Sequence, residues 1–261
     1  MSLCLVSPIS IIVPCFNGAA TLSRALESCL AQPEAAQIFV VDDGSTDSSA
    51  SIARAHALRD PRVRLLQMTG NGGAARARNW AALHALTPFL AFLDADDEYL
   101  PGALAAAHAH LEQHPREAAI RLDVDYVGFP GRLTSHPDFE KYATVLSNTV
   151  PSSLVIRRSA FLALGGFPMD DFFRRQGGED GAFSWALREI FGQRRFTGQK
   201  QVRMHYHDGI HAERFLNIQM GFVQADPATT AETLRCSQAF LDAALASVRQ
   251  MRALDLAQPG R

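Results

Sequence analysis

Apolar positions in the N-terminal part of the chain gather into four short runs, Ile9 to Val13, Ile38 to Val41, Val63 to Met68 and Phe89 to Leu93, with Ala- and Leu-rich stretches of helical pattern between them. The resulting βαβαβαβ order predicts a mostly parallel sheet covered by helices, because parallel neighbours need a crossover and strands buried on both faces are apolar throughout. In such sheets ligands sit beyond the C-terminal strand ends. Those ends carry Pro14 to Gly18, Asp42 to Asp47, Gly70 to Gly73 and Asp94 to Asp97, so polar and glycine-rich residues converge on one rim.

Helix signals punctuate the pattern. Thr21 is placed to cap a helix reaching about Ala31, Ser45 or Thr46 with Asp47 to open the next, and Pro101 to occupy the first turn of one running from Gly102 to about Gln113. Past residue 120 the rhythm changes. A strand-like Val124 to Phe129 is followed by Pro- and Gly-marked turns, a strand at Ser153 to Ile156, a helix near Ser159 to Leu164, a Gly165-Gly166 turn, a charged loop and a helical Phe183 to Ile190. This reads as a mixed-sheet extension of the same domain. Two further helical stretches follow, Ala212 to about Val223 and about Thr229 to Leu254, with Pro227 between them. In the longer one Leu234, Leu241, Leu245 and Val248 recur near helical spacing and are expected to pack on the core, the alternative being a dimer or membrane-surface contact.

Composition narrows the choice of partner. With 261 residues, 47% hydrophobic, the chain is long enough for one large domain or a domain with an appendage, and its formal charge of -2 supplies no field that would recruit nucleic acid or an anionic bilayer. Cys4, Cys15, Cys29 and Cys236 have neither zinc-site spacing nor the density of a disulfide framework, so reduced thiols and a cytoplasmic setting are expected. The apolar Met1 to Val13 lacks a preceding cation and is interrupted by Pro8 and Pro14, which favours a strand over a signal or a membrane span.

Four segments carry candidate chemistry. In Asp42-Asp43-Gly44-Ser45 a carboxylate can accept hydrogen bonds from a base N–H or a ribose hydroxyl, or Asp43 and Ser45 can simply cap the turn. Asp94-Ala95-Asp96-Asp97-Glu98 concentrates four acids where an apolar strand meets solvent. On an extended backbone two acids one residue apart share a side, which suits coordination of Mg²⁺ or Mn²⁺. The rival is an acidic turn in which Asp97 or Glu98 favours the dipole of the next helix.

Gly70 to Ala75 matches a loose G-x-G-x-x-A dinucleotide fingerprint, so an oxidoreductase-like dinucleotide site is the competing class. The fingerprint follows a third strand, however, and a single ribose contact does not call for so many acids. Otherwise the glycines let the next helix present Arg76, Arg78 and Asn79 to a phosphate or sugar. In Gly177-Gly178-Glu179-Asp180-Gly181 a carboxylate in a flexible turn could serve as a general base or as a helix cap. His205, His207 and His211 cluster further on.

Together these segments resemble the family 2 glycosyltransferases, of GT-A fold. The residues that carry the likeness are Ile11 to Asn17, Val40 to Asp47, Ala77-Arg78-Asn79, Phe92 to Asp97, and Gly165-Gly166-Phe167 followed by Glu179-Asp180, covering about residues 9 to 211. The resemblance implies a GT-A Rossmann-like single domain over 1 to 211, with a nucleotide-sugar half to residue 120 and an acceptor half from 121, and a C-terminal helical extension over 212 to 261.

It implies a nucleotide site formed by Pro14, Phe16, Asn17, Asp42, Asp43, Arg78 and Asp94, and a Mn²⁺ or Mg²⁺ ion on Asp96, Asp94 and His205, with His207 as the fallback. Asp180 would be the catalytic base, with Glu179 beside it. The expected reaction is inverting transfer from a nucleoside-diphosphate sugar, with uridine as the expected base, to a hydroxyl acceptor.

Phe16 stands where the family often has Tyr, leaving stacking on a base without a hydroxyl contact. The Gln-x-x-Arg-Trp pattern of processive members is absent. A sugar nucleotidyltransferase, a second alternative, would want a glycine- and lysine-rich loop that Pro14 to Gly18 does not provide, and a non-catalytic binding module sits poorly with the presence of both Asp96 and Asp180.

Overall fold

The computed structural model describes residues 9–256, with side chains to residue 252. Its first half follows the expected order: β1 (Ile9–Cys15), α1 (Leu22–Leu30), β2 (Ala35–Asp42), α2 (Ser49–Arg59), β3 (Val63–Gln67), α3 (Ala74–His84) and β4 (Phe89–Phe92). The remainder comprises β5 (Glu98–Tyr99), α4 (Ala103–Gln113), β6 (Ala119–Arg121), β7 (Val124–Val127), α5 (Gly131–Thr134), α6 (Phe139–Ser147), β8 (Leu154–Arg157), α7 (Arg158–Ala163), α8 (Asp171–Gln176), α9 (Glu179–Phe191), β9 (Arg194–Arg195), β10 (Val202–His205), α10 (His211–Gln219) and α11 (Pro227–Leu256).

Among the described residues the main sheet has seven strands in the order β3-β2-β1-β4-β8-β6-β9, and a smaller one runs β5-β10-β7. The first four strands are parallel, whereas β8 runs antiparallel to both β4 and β6, which makes the second half the mixed extension expected of it. Period-two alternation sorts the strand residues onto two faces. Ile9, Ile11 and Val13 join Ile38, Val40, Phe89 and Ala91 in one core, shared with α1 and α4. Ile12, Phe39, Val41, Leu90 and Phe92 face a second core under α3, α7 and α9.

Strand order reverses between β1 and β4: the chain moves outward through β2 and β3, then returns to the other side of β1. A crevice therefore opens beyond the C-terminal ends of β1 and β4, where Phe16 and Asp94 lie.

Several local expectations change. Thr21 is at the N-cap position of α1, but its hydroxyl donates back to the Gly18 carbonyl and caps nothing. The second helix starts at Ser49, later than Ser45 to Asp47, because those residues are engaged across the rim: Ser45 Oγ accepts from Asn17 N–H, and Asp47 accepts from the amides of Ala19 and Ser49. Within the Gly102 to Gln113 stretch the helix begins at Ala103, with Gly102 left-handed at its cap and Pro101 outside. The charged loop after Gly166 contains α8, and residues 131–147 hold α5 and α6, where no helix was expected.

Along α11, Leu241, Ala244 and Val248 are buried and Leu245 is partly so, but Leu234 is 61% exposed and stands outside that stripe. Leu241, Ala244 and Leu245 join the core under α9, and Ala212, Leu216 and Met220 of α10 join the other. Among the described residues no helix is long and apolar enough to cross a membrane. Cys15, Cys29 and Cys236 are buried free thiols, and Cys4 lies outside the described residues.

The β2–α2 turn depends on one glycine. Gly44 has φ of +78°, and a Cβ there would lie 3.0 Å from the backbone of Gly70 and Asn71. Gly44→Ala is expected to cost about 2 kcal/mol through left-handed strain and displacement of the neighbouring loop, read as a lower urea midpoint at unchanged slope.

Candidate active site

The two loops nearest the crevice are bound into one rim. Asn17 takes a positive φ of 51°, which Asn tolerates better than most residues, and its Oδ1 accepts from Thr46 N–H at 2.9 Å. Gly18 N–H reaches Ser49 Oγ at 2.9 Å. Pro14 is buried within β1, opposite Val41. Phe16 is 49% exposed, an aromatic face left open at the lip.

The two acids of the β2 turn are both buried and do different work. Asp42 Oδ1 accepts from Ser45 N–H at 3.0 Å, and its other oxygen is held loosely by Gln67 at 3.4 Å. Asp43 turns toward the glycine loop, where its oxygens accept from Gly72 N–H at 2.9 Å and Gly73 N–H at 2.8 Å. Those are amides a dinucleotide pyrophosphate would need from a glycine fingerprint at a helix start. With Asp43 occupying them, the loop is built as a brace and the oxidoreductase reading loses its phosphate cradle.

The acidic segment after β4 departs from the expected extended geometry. Asp97 N–H donates to the Asp94 carbonyl at 3.0 Å, so residues 94–97 form a tight turn and the acids do not share a side as alternate residues of a strand would. Asp94 Oδ1 accepts from Arg78 Nη2 at 2.6 Å. Asp96 Oδ2 faces His207 Nε2 at 2.8 Å, and its carbonyl accepts from the Arg24 guanidinium.

Asp97, 1% exposed, points inward to Ser152 Oγ at 2.6 Å and is not a cap for the helix that follows. The same Ser152 hydroxyl accepts from Asp94 N–H at 3.0 Å. His205, expected on a metal, instead faces Glu98 Oε1 at 3.1 Å, an oxygen that also accepts from Arg203. Of the two histidines, His207 is the one brought to Asp96.

Arg78 gathers the acids from two ends of the sequence. The residue is 4% exposed, and its guanidinium bonds Asp94, reaches Glu179 at 3.4 Å, and lies 5.3 Å from the centroid of the Phe167 ring. Burial would weaken this cation, but Asp94, Glu179 and Asp180 outweigh burial and hold its pKa above the usual arginine value. Asn79, one residue on, bonds Phe167 through both its amide atoms, fastening α3 to the turn after α7.

Glu179 and Asp180 open α9 and do not precede it in a flexible turn. Gly178, in the left-handed region, is the N-cap, so both acids lie in the first turn near the positive end of the helix dipole. Burial, then the charge of Glu179, nevertheless pushes the Asp180 carboxyl up to about 6. A carboxyl in that range is poised to accept a proton near neutral pH.

At Asp96, burial and then the Asp94 charge raise the carboxyl above its usual range, against the opposing hydrogen bond from His207. At Asp97 burial, then the charges of Asp96 and Asp94, act more strongly. Hard acceptors crowded against their own repulsion fit a divalent cation. Among the described residues no three His, Cys, Asp or Glu side chains already converge on one point. Mg²⁺-type sites completed by substrate phosphates need only one or two carboxylates from the protein.

With this geometry in view, the glycosyl transferase family 2 model matches residues 10–169, and the chain belongs to that family. The succinoglycan biosynthesis protein ExoU of Rhizobium meliloti is 46% identical over 96 residues, 37% of this chain and 28% of the relative. The uncharacterised glycosyltransferase YibD of Escherichia coli is 40% identical over 94 residues, 36% of this chain and 27% of the relative. The matched stretches thus span less than a third of those relatives.

Among solved structures, S. aureus TarS 1–349 in complex with UDP-GlcNAc superposes with a TM-score of 0.66 at 18% identity, covering 89% of this chain and 66% of that one. The mannosyltransferase PcManGT of Pyrobaculum calidifontis, in complex with GDP-Man and Mn²⁺, gives 0.63 at 20% identity, covering 97% and 76%. At such identities the likeness establishes the fold, which is GT-A.

Ser152 and Arg121, which tie this site to the core, were not singled out from the sequence. Their signals were a polar Ser152-Ser153 pair ahead of β8 and a lone arginine within the apolar run Ala118 to Leu122.

Because the folded-state pKa of Asp180 lies above its unfolded value of about 3.8, the folded protein binds more protons across the interval between them. Stability from this group is therefore full below pH 4 and lost as pH rises through about 6. Asp180→Asn is expected to raise the unfolding temperature in metal-free buffer at pH 7.5, with the gain vanishing below about pH 4. Thermal unfolding across that pH range checks both limbs.

Proposed function

We propose that this chain is a metal-dependent, inverting glycosyltransferase that moves a sugar from a nucleoside-diphosphate donor to a hydroxyl acceptor. The observation that carries the reading is the meeting of Asp94, Glu179 and Asp180 around buried Arg78, with Asp96 and His207 beside them, at the strand-order reversal of a GT-A sheet.

The residues divide the work. Phe16 offers an open aromatic face on which a base can stack, and Asp42, with one oxygen only loosely held, is the nearby acceptor for a base N–H or ribose hydroxyl. Asp96 and His207, with Asp94, would hold Mn²⁺ or Mg²⁺. Their chemistry is hard oxygen and imidazole, and the bound ion would neutralise charge developing on the diphosphate leaving group.

Asp180 takes the proton from the acceptor hydroxyl as that oxygen forms its bond to the anomeric carbon. The bond from that carbon to the diphosphate breaks on the opposite face, so configuration inverts and no covalent enzyme intermediate is needed. Glu179 keeps Arg78 engaged and leaves Asp180 free for the proton.

Uridine is the expected base on the breadth of the family. A thermal-shift panel of UDP, GDP, CDP, dTDP, NAD and NADP, each with and without Mn²⁺, tests the reading, since a ligand at a hundred times its Kd stabilises by about 2.7 kcal/mol. A nucleoside diphosphate is expected to stabilise only with Mn²⁺, and stabilisation by NAD without metal would overturn the assignment. Asp96→Asn should abolish the metal-dependent shift. Asp180→Asn should keep that shift and lose transfer, and full turnover in that variant would remove Asp180 from the role of base.

A further inference from the structure

Arg121 ends β6 with its side chain wholly buried, at 0% exposure. Its hydrogen-bond partners are neutral. Nη1 donates to the carbonyls of Val150 at 2.8 Å and Thr149 at 3.4 Å and to Ser153 Oγ at 3.1 Å, and Nη2 donates to Ser184 Oγ at 2.6 Å. Nε has no acceptor. A cation taken from water into such a setting carries a desolvation cost that neutral acceptors offset only in part. Burial lowers its pKa to about 9, which leaves it charged at neutral pH, and the negative charge that supports it is Asp180.

The partners of Arg121 lead in two directions. Ser184 Oγ donates to the Asp180 carbonyl at 2.7 Å, one turn back along α9. On the other side, the segment 149–153 that receives Nη1 contains Ser152, whose hydroxyl bonds Asp97 and the amide of Asp94. One buried guanidinium thus links the turn that holds the proposed base to the segment that holds the acidic motif.

We propose that Arg121 is a positioning residue for Asp180: it anchors the first turn of α9 through Ser184, sets that turn against Asp94 to Asp97 through residues 149–153, and supplies the counter-charge behind the base. The catalytic meaning of this role rests on the reading of Asp180 as the base. The charged groups acting on Asp180 are Glu179 on its own helix, Arg78 on α3 and Asp94 at the end of β4, and Asp180 in turn supports the Arg121 cation on β6. Arg78 is already shared by Asp94 and Glu179, whereas Arg121 is supported by Asp180.

The test is a metal-free ¹³C-carboxyl NMR titration of the full chain, with the Asp180 resonance assigned by its loss in Asp180→Asn. In Arg121→Gln, which keeps polar contacts and removes the charge, the proton affinity of Asp180 should rise on the order of tenfold. Arg121→Lys should return it to within about threefold of wild type. A folded Arg121→Gln with the wild-type midpoint, or an Arg121→Lys displaced as far as the glutamine variant, would overturn the proposal.

Should Arg121→Gln fail to fold, Ser184→Ala carries the test. Loss of the hydroxyl link should raise the Asp180 midpoint by a smaller, roughly twofold to fivefold change in affinity, and an unmoved midpoint contradicts the proposal. The titration needs no turnover. A transfer assay that removed Asp180 from the base role would therefore leave the Arg121 link measurable, and the converse also holds.

Discussion

Mutual repulsion among carboxylates at the sheet's C-terminal rim is the constraint around which this molecule is organised. Asp94, Asp96, Asp97, Glu179 and Asp180 are brought together by elements distant in sequence, and most are partly or wholly withdrawn from water. Such a cluster is tolerable only if each acid is compensated. Arg78 compensates Asp94 and Glu179, His207 faces Asp96, Ser152 binds Asp97, and Asp180 is tied through its carbonyl to Ser184, which the Arg121 guanidinium also bonds. What compensation leaves over appears as carboxyls pushed upward at Asp96, Asp97 and Asp180. A site in this state gains when a cation arrives, which is why its cost to the fold and its capacity for chemistry have one origin.

The scaffold makes the cluster possible by topology. Reversal of strand order at β1 and β4 opens a crevice at the strand ends, and apolar packing on both sheet faces supports those ends from beneath. The loops are then fastened to one another: Asn17 to Thr46, Gly18 to Ser49, and Asp43 to the amides of Gly72 and Gly73. Rigid support of this kind is what clustered acids on separate loops need to stay in register.

The parallel half of the fold was legible because β1, β2 and β4 are buried on both faces and therefore apolar along most of their length, a pattern that survives without knowledge of tertiary contacts. The C-terminal half was less so. Helix α6 is partly buried against α10 and the small sheet, contacts that no local spacing announces. Motif residues were found, but their directions were not. An extended backbone was expected at Asp94 to Asp97, and the Asp97-to-Asp94 turn sends those acids three ways. His205 and His207 are told apart only by side-chain direction, which sends His205 to Glu98 and His207 to Asp96. Arg121 was hidden for a simpler reason: a buried cation with neutral partners has no motif of its own.

In the proposed chemistry a divalent ion and a nucleoside diphosphate complete each other's binding at Asp96, the acid that faces His207. The most direct measurement is the electron paramagnetic resonance signal of aqueous Mn²⁺, titrated with protein in the presence and absence of each nucleoside diphosphate. The account predicts that the free-ion signal falls strongly only when protein and one nucleoside diphosphate are both present, beyond what the nucleotide does alone, and that Asp96→Asn abolishes the effect. An unchanged signal in the ternary mixture, or an equal loss with Asp96→Asn, would contradict it.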